Sequence, residues 1–265
     1  MTHTPAAPTT SRPGVDLAFD EAGTGSVALY AHGAFLSRAE DDRLGHVILR
    51  EALPPGLRLV RYDARGHGLS GGRAVADDYL YERLGEDLLA VADRVQPESP
   101  IVGMGASMGA ASLLQAAVRR PDRFTRLVLI IPPTAWEARS AQAESYLAQA
   151  DLVERAGKAA MGAAMGAMPA PPALAEAGAW PIVPDVADAV LPSVMRGMGR
   201  SDLPGRSELA RLPHPTLILG WVGDPVHPVE TAEQLAELLP GGRAVIAASP
   251  ADRATWRARI AEFLS

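Results

Sequence analysis

The chain predicts an α/β fold, a mostly parallel β-sheet with helices on both faces and one inserted helical segment. Three observations carry that expectation. Short apolar runs alternate with helix-periodic stretches along most of the 265 residues, the pattern of parallel strands joined by crossover helices. One run ends in a glycine-flanked turn, Gly105-Ala106-Ser107-Met108-Gly109, that passes directly into helical sequence. The alternation lapses once, between 134 and 208, where no strand pattern is found.

Taken in order, residues 1–14 (MTHTPAAPTTSRPG) read as a flexible lead-in, with no apolar stretch long enough for a signal peptide. Val15–Glu21 adds an edge strand. Strands are then predicted over 26–32, 58–63, 100–105, 126–131, 215–220 and 243–248, with helices over 80–95, 107–119 and 251–264. The segment 134–208 is rich in Ala, Met and Glu and is cut by Pro169, Pro171, Pro172, Pro181 and Pro184. It is too long for a loop. It predicts a helical cap inserted into a core made of 15–133 and 209–265. Ligands of such sheets bind at the carboxyl ends of the strands, and every motif discussed below falls there.

Composition bounds the function. Apolar residues make up 48% and charged residues 21%, a globular balance. The net charge of −6 argues against nucleic acid or an anionic membrane as the main partner. Without cysteine there are no disulfides, thiolate metal sites or thiol nucleophiles. No apolar run reaches membrane-spanning length, so a cytoplasmic location is expected. No pair of histidines has metal-ligand spacing. Neither a metal nor a cofactor is expected.

The strongest motif is G-x-S-x-G at 105–109, in the strand–turn–helix setting that gives it meaning. A sharp turn lifts the serine oxygen above the sheet, and the glycines let neighbouring backbone approach. The helix N-terminus adds N–H groups beneath developing negative charge. Three further motifs follow strands: Ala31-His32-Gly33-Ala34-Phe35, Asp63-Ala64-Arg65-Gly66-His67-Gly68-Leu69-Ser70, and Gly220-Trp221-Val222-Gly223-Asp224-Pro225.

On these residues the chain resembles the α/β-hydrolase superfamily, in its cap-bearing esterase, lipase and haloperoxidase-like branch, from Val15 to Ser265. The resemblance implies a nucleophile at Ser107 and an oxyanion hole made by the Ala34 and Met108 N–H groups. It implies an acid at Asp224, although Asp-Pro also starts turns unaided. The other slot for an acid, after 126–131, holds Pro132-Pro133. His32 and His67 are expected to brace loops, and Asp63 and Arg65 to tie their loop together.

One departure stands out. The fold keeps its triad in the chain order Ser, acid, His, yet no histidine follows His227. The loop after the last predicted strand reads Ala248-Ser249-Pro250-Ala251-Asp252 instead, a helix start with Ser249 as N-cap, proline at the first position and an acid in the first turn. His227, three residues after Asp224, is read as a brace for a helix beginning near Val229, with a base approaching from an unusual direction as the alternative. His3, His46 and His214 are read as structural or in the lead-in. The expectation is therefore that no imidazole nitrogen reaches Ser107, His227 being the one exception its loop allows.

The cap carries Met161, Met165 and Met168, with Met195 and Met198 further on; such residues are expected mainly as packing, with a subset lining an apolar site. Phe35, Trp136 and Trp221 are candidates for the wall of that site, and Trp180 a further one. The sequence thus points to a serine-hydrolase-type enzyme acting on an ester, thioester or lactone of an apolar small molecule, with an incomplete triad. The rival reading is a non-hydrolytic relative, a cyclase, lyase or isomerase, or a ligand-binding protein without turnover.

Overall fold

A computed structural model describes residues 8–45, 49, 51–167, 169–175 and 183–265. Met168, Trp180, His3 and His46 lie outside the described residues. Eight strands form one sheet: β1 (Thr9–Arg12), β2 (Val15–Ala22), β3 (Ser26–Ala31), β4 (Leu57–Tyr62), β5 (Ile101–Ala106), β6 (Phe124–Ile130), β7 (Pro215–Trp221) and β8 (Gly241–Ala247). Their spatial order is β1-β2-β4-β3-β5-β6-β7-β8. The first two pairs, β1–β2 and β2–β4, are antiparallel and the other five are parallel.

The strand pattern follows burial. All six residues of β5 are buried, as expected for a central strand covered on both faces, where the sequence runs apolar without alternation. One face carries α2 (Tyr81–Val95), α3 (Met108–Arg119) and α7 (Val229–Leu238), whose Leu84, Leu88, Leu113, Leu114 and Leu235 join a single apolar cluster. The opposite face is covered by α9 (Trp256–Leu264), through Trp256, Ile260 and Leu264. The short helices α1 (Arg38–Leu44) and α8 (Pro250–Ala254) follow β3 and β8. Ser249 caps α8 by accepting from the Asp252 N–H, with Pro250 in the first turn.

One expectation is corrected at the N-terminus. Thr9–Arg12, read as part of a flexible lead-in, forms β1 and pairs with Val15–Ala18. The signal lay in Pro13-Gly14: proline presets the first turn position and Gly14 takes φ 80° at the second, folding TTSR back onto β2. Val15–Ala22 is consequently the second strand and not an edge.

Between β6 and β7 the described residues form helices: α4 (Arg139–Gly166), α5 (Leu191–Gly199) and α6 (Arg206–Leu209). Within α4, Gly157 leaves helical geometry at φ 76° and kinks the element. A buried arginine ties this region together. Arg139 donates to the carbonyls of Met198 and Ser201, to Thr134 Oγ1 and to the Tyr81 hydroxyl, so its charge enters the interior fully hydrogen-bonded. A single bridge joins Val186 of this segment to His67. No described helix is long and apolar enough to cross a membrane.

Candidate active site

Ser107 stands between β5 and α3 at φ 50° and ψ −112°, a conformation that L-residues occupy only under constraint. The flanking glycines supply that constraint. A Cβ on Gly105 would collide with the Gly109 backbone, and one on Gly109 with the Ala31 carbonyl. Larger residues would force β3, β5 and α3 apart, so the tight turn and the placement of the Ser107 hydroxyl at its apex come from the same two residues. Met108 is the first residue of α3, and its N–H therefore has no acceptor within the helix.

Ala34 lies in a turn closed by the Leu36 N–H donating to the Gly33 carbonyl at 3.3 Å. Ala34, Met108's neighbour Ser107 and Phe35 all face one cavity or its edge: Gly33, Ala34, Phe35 and Ser107 line it together. Two buried histidines hold this turn in place. His32 accepts the Ala64 N–H on Nε2 and donates from Nδ1 to the Gly33 carbonyl. His67 accepts the Phe35 N–H on Nε2 and donates from Nδ1 to the Arg65 carbonyl. With both ring nitrogens engaged by backbone, both rings are neutral. Burial lowers the His32 pKa, and burial together with the neighbouring His32 ring pushes that of His67 down to about 3.

The loop after β4 is tied as expected. The Asp63 carboxylate accepts from the Arg38 N–H and guanidinium and from the Leu69 N–H. Arg65 makes a two-pronged ion pair with Asp87.

After β7 the chain turns at Asp224-Pro225-Val226-His227. The His227 N–H donates to the Asp224 carbonyl at 3.2 Å, and the Val226 N–H donates to Asp224 Oδ1 at 2.9 Å. Aspartate at the first position and proline at the second suit this turn. The turn brings the two side chains side by side: His227 Nδ1 donates to Asp224 Oδ2 at 2.7 Å. The other ring nitrogen, Nε2, lies 2.7 Å from Ser107 Oγ.

The expectation that no imidazole reaches Ser107 is thereby corrected. The physical reason is the turn itself, which lets one loop carry both an acid and an imidazole. His227 precedes α7, but its ring faces the serine and no brace to that helix is made. Burial alone would raise the Asp224 carboxyl. The His227 ring, the Trp221 Nε1–H at 2.9 Å and the Val226 N–H outweigh it and hold the group well below the usual carboxylate range.

The cavity over Ser107 measures about 180 Å³. Its walls come from the sheet ends and from the segment between β6 and β7, which contributes Gln142, Tyr146 and Met165. Phe35 and Trp221 line it. Trp136 does not. Its Nε1–H donates to the Pro204 carbonyl and its ring lies 4.4 Å beneath the Arg206 guanidinium, so it anchors the inserted segment away from the cavity. Met161, Met195 and Met198 are buried in the core. His214 hydrogen-bonds the Pro121 carbonyl and does not line the cavity.

Several cavity residues carried no sequence signal, Trp256 and Asp41 among them. Trp256 stacks on Trp221 with ring centroids 5.8 Å apart. Asp41 of α1 is 4% exposed, and burial pushes its carboxyl up to about 7 against the opposing pull of Tyr30 and Arg61. Neither had a motif to mark it. Among the described residues no cluster of histidine and acidic side chains is arranged to hold a metal ion.

Comparison with known proteins bears on the fold and the family. The family model for serine aminopeptidase, S33, matches residues 43–168. The chain is 34% identical to a putative carbamate hydrolase RutD of Rhizobium rhizogenes over 40% of this chain and 39% of that protein. It is 32% identical to a monoglyceride lipase of Rattus norvegicus over 44% of this chain and 38% of the lipase. It thus spans about two fifths of the length of these curated relatives. Among solved structures, a hydrolase from Pseudomonas aeruginosa PA01 superimposes with a TM-score of 0.80 at 24% identity, covering 97% of both chains.

Proposed function

Because the chain belongs to the α/β-hydrolase superfamily, we propose that it is a serine hydrolase acting on an ester, thioester or lactone of an apolar small molecule. The observation that carries this reading is the unbroken line from Ser107 Oγ through His227 to Asp224, with both links at 2.7 Å.

A serine hydroxyl alone is a weak nucleophile, since almost none of it is ionised near neutrality. An imidazole at hydrogen-bonding distance removes that handicap. As Oγ bonds to the substrate carbonyl carbon, its proton passes to His227 Nε2. The carbonyl π pair moves onto oxygen, where the Ala34 and Met108 N–H groups receive it. Asp224 fixes the tautomer that leaves Nε2 open and stabilises the ring once it is charged. The tetrahedral species collapses as the leaving oxygen or sulfur takes the proton from Nε2. Water, deprotonated by the same nitrogen, then releases the acyl group and restores Ser107.

The walls support an apolar substrate. Phe35, Ile130, Ile131, Met165, Trp221 and Trp256 make the cavity largely apolar, and its size suits a small molecule. The test is covalent. A fluorophosphonate probe should label the protein on Ser107 and leave Ser107→Ala unlabelled, with hydrolysis of p-nitrophenyl butyrate lost in the same variant. An unlabelled wild-type protein would support the non-hydrolytic reading instead.

A further inference from the structure

Phe35 is the strained member of the turn that carries the Ala34 N–H. It sits at φ 67°, in the position of the turn where glycine is favoured and a bulky side chain costs energy. Such strain persists only where the surroundings over-determine it. Two contacts do so here, one on each side of the residue. The Phe35 N–H donates to His67 Nε2 at 3.2 Å. The Phe35 carbonyl accepts the Asp185 N–H at 2.8 Å.

The second contact comes from the inserted segment. Asp185 is engaged from both sides: its N–H holds Phe35, and its own carbonyl accepts the Gly68 N–H at 2.9 Å. The next residue, Val186, is buried and bridges to His67, the same residue whose ring grips the Phe35 N–H. Two residues of the insertion therefore stitch the Ala34–Phe35 turn to the loop 63–70. His67 is the common point. Released, Phe35 would relax to negative φ, flip the Ala34–Phe35 peptide and displace the turn on which the Ala34 N–H stands.

We propose that the Asp185–Val186 strap is a positioning device for the oxyanion site: the hole is assembled only while this part of the insertion is docked on Phe35 and His67. The inference rests on the serine-hydrolase reading for its catalytic consequence. The backbone clamp itself does not depend on that reading. Neither strap residue touches the reacting atoms. Their role is to hold a strained residue in a conformation it would otherwise leave.

The test is a double-mutant cycle with a second, turnover-independent measurement. Asp185→Pro deletes the N–H donated to Phe35, while Phe35→Gly removes the strain, since glycine holds positive φ without help. On p-nitrophenyl butyrate, Asp185→Pro should lower kcat by about 10- to 100-fold in the wild-type background, below the roughly 10²- to 10³-fold loss of an oxyanion donor removed outright, with KM within about twofold. In the Phe35→Gly background the same substitution should cost less than about twofold, because the clamp has nothing left to restrain. Amide hydrogen exchange over residues 33–36 should quicken in Asp185→Pro and not further in the double variant. Equal losses in both backgrounds, or unchanged exchange over 33–36, would overturn the proposal. If the wild-type protein hydrolyses no ester, the hydrolase reading fails and the exchange comparison alone decides the clamp.

Discussion

Asp224 and His227 are joined twice, along the backbone through the His227 N–H at 3.2 Å from the Asp224 carbonyl and through their side chains at 2.7 Å. One four-residue turn thus fixes both the acid and the imidazole. Their separation is set by local geometry, with Pro225 restricting the backbone between them. The fold usually draws these groups from two loops. Here the second loop, after β8, is spent on a helix cap at Ser249.

Asp224→Asn tests that turn. The amide keeps the shape but cannot hold the imidazole in the tautomer that leaves Nε2 free for Ser107, so kcat should fall by about 10⁴. The turn keeps its backbone bond, and circular dichroism should show an unchanged fold. A loss below tenfold would mean that the acid lies elsewhere.

Much of this was legible in the sequence, and the pattern of success is physical. The elbow could be read because Gly105 and Gly109 are dictated by backbone contact, which no other residue type satisfies. The central strands β3, β5, β6 and β7 could be read because most of their residues are buried on both faces. His227 could not be read with certainty, since its reach depends on the orientation of a turn and not on residue identity. The cue was Asp-Pro at the first two turn positions, which places the fourth residue beside the first. Trp136 and Trp221 illustrate the limit from the other side. Both are tryptophans at the edge of the site region, and only the path of the inserted segment decides that Trp136 faces Arg206 while Trp221 faces the cavity.

Two glycine substitutions should act oppositely. Gly109→Ala forces a Cβ into the Ala31 carbonyl, and backbone cannot yield as a side chain can. A loss of several kcal/mol or more, or failure to fold, is expected. Gly162 lies in α4 with nothing within 4 Å of a built Cβ, so Gly162→Ala should stabilise by about 0.5–1 kcal/mol. Thermal melts of the two variants, read beside the wild type, check both signs.

Two buried groups give the pH dependence of stability opposing slopes. His67 is neutral in the folded protein down to about 3, whereas an unfolded histidine takes a proton below about 6.5. The unfolded chain binds more protons in that window, so this group's contribution is lost as pH falls from about 6.5, at roughly 1.4 kcal/mol per unit. Asp41 stays protonated up to about 7, while an unfolded aspartate ionises near 3.9. The folded chain binds more protons there, and stability falls as pH rises from about 4 to 7. His67→Gln should therefore expose the downward slope with rising pH, and Asp41→Asn the upward one. Urea midpoints at pH 4.5, 6 and 8 would show this, and parallel profiles for both variants and the wild type would refute it.

The decisive prediction compares the three histidines nearest the site. His32 and His67 spend both ring nitrogens on backbone groups. Neither can take a proton from Ser107 without breaking the loops it holds. His227 alone combines a carboxylate on Nδ1 with the serine oxygen on Nε2, and its side chain keeps 15% of its surface open to solvent. His227→Ala should therefore lower kcat for p-nitrophenyl butyrate by about 10⁶, slow fluorophosphonate labelling of Ser107 strongly, and shift the melting temperature little. His32→Ala and His67→Ala should do the reverse: each orphans a buried backbone N–H, Ala64 or Phe35, at a cost of roughly 1–3 kcal/mol. Any activity they lose should follow the oxyanion turn and not the reactivity of the serine. His227→Gln separates the remaining possibilities, since glutamine can hydrogen-bond the hydroxyl but cannot accept and return its proton. If it is as impaired as His227→Ala, the ring acts as a base. If it recovers most of the rate, the ring merely positions the serine, and the proton leaves Ser107 by another route.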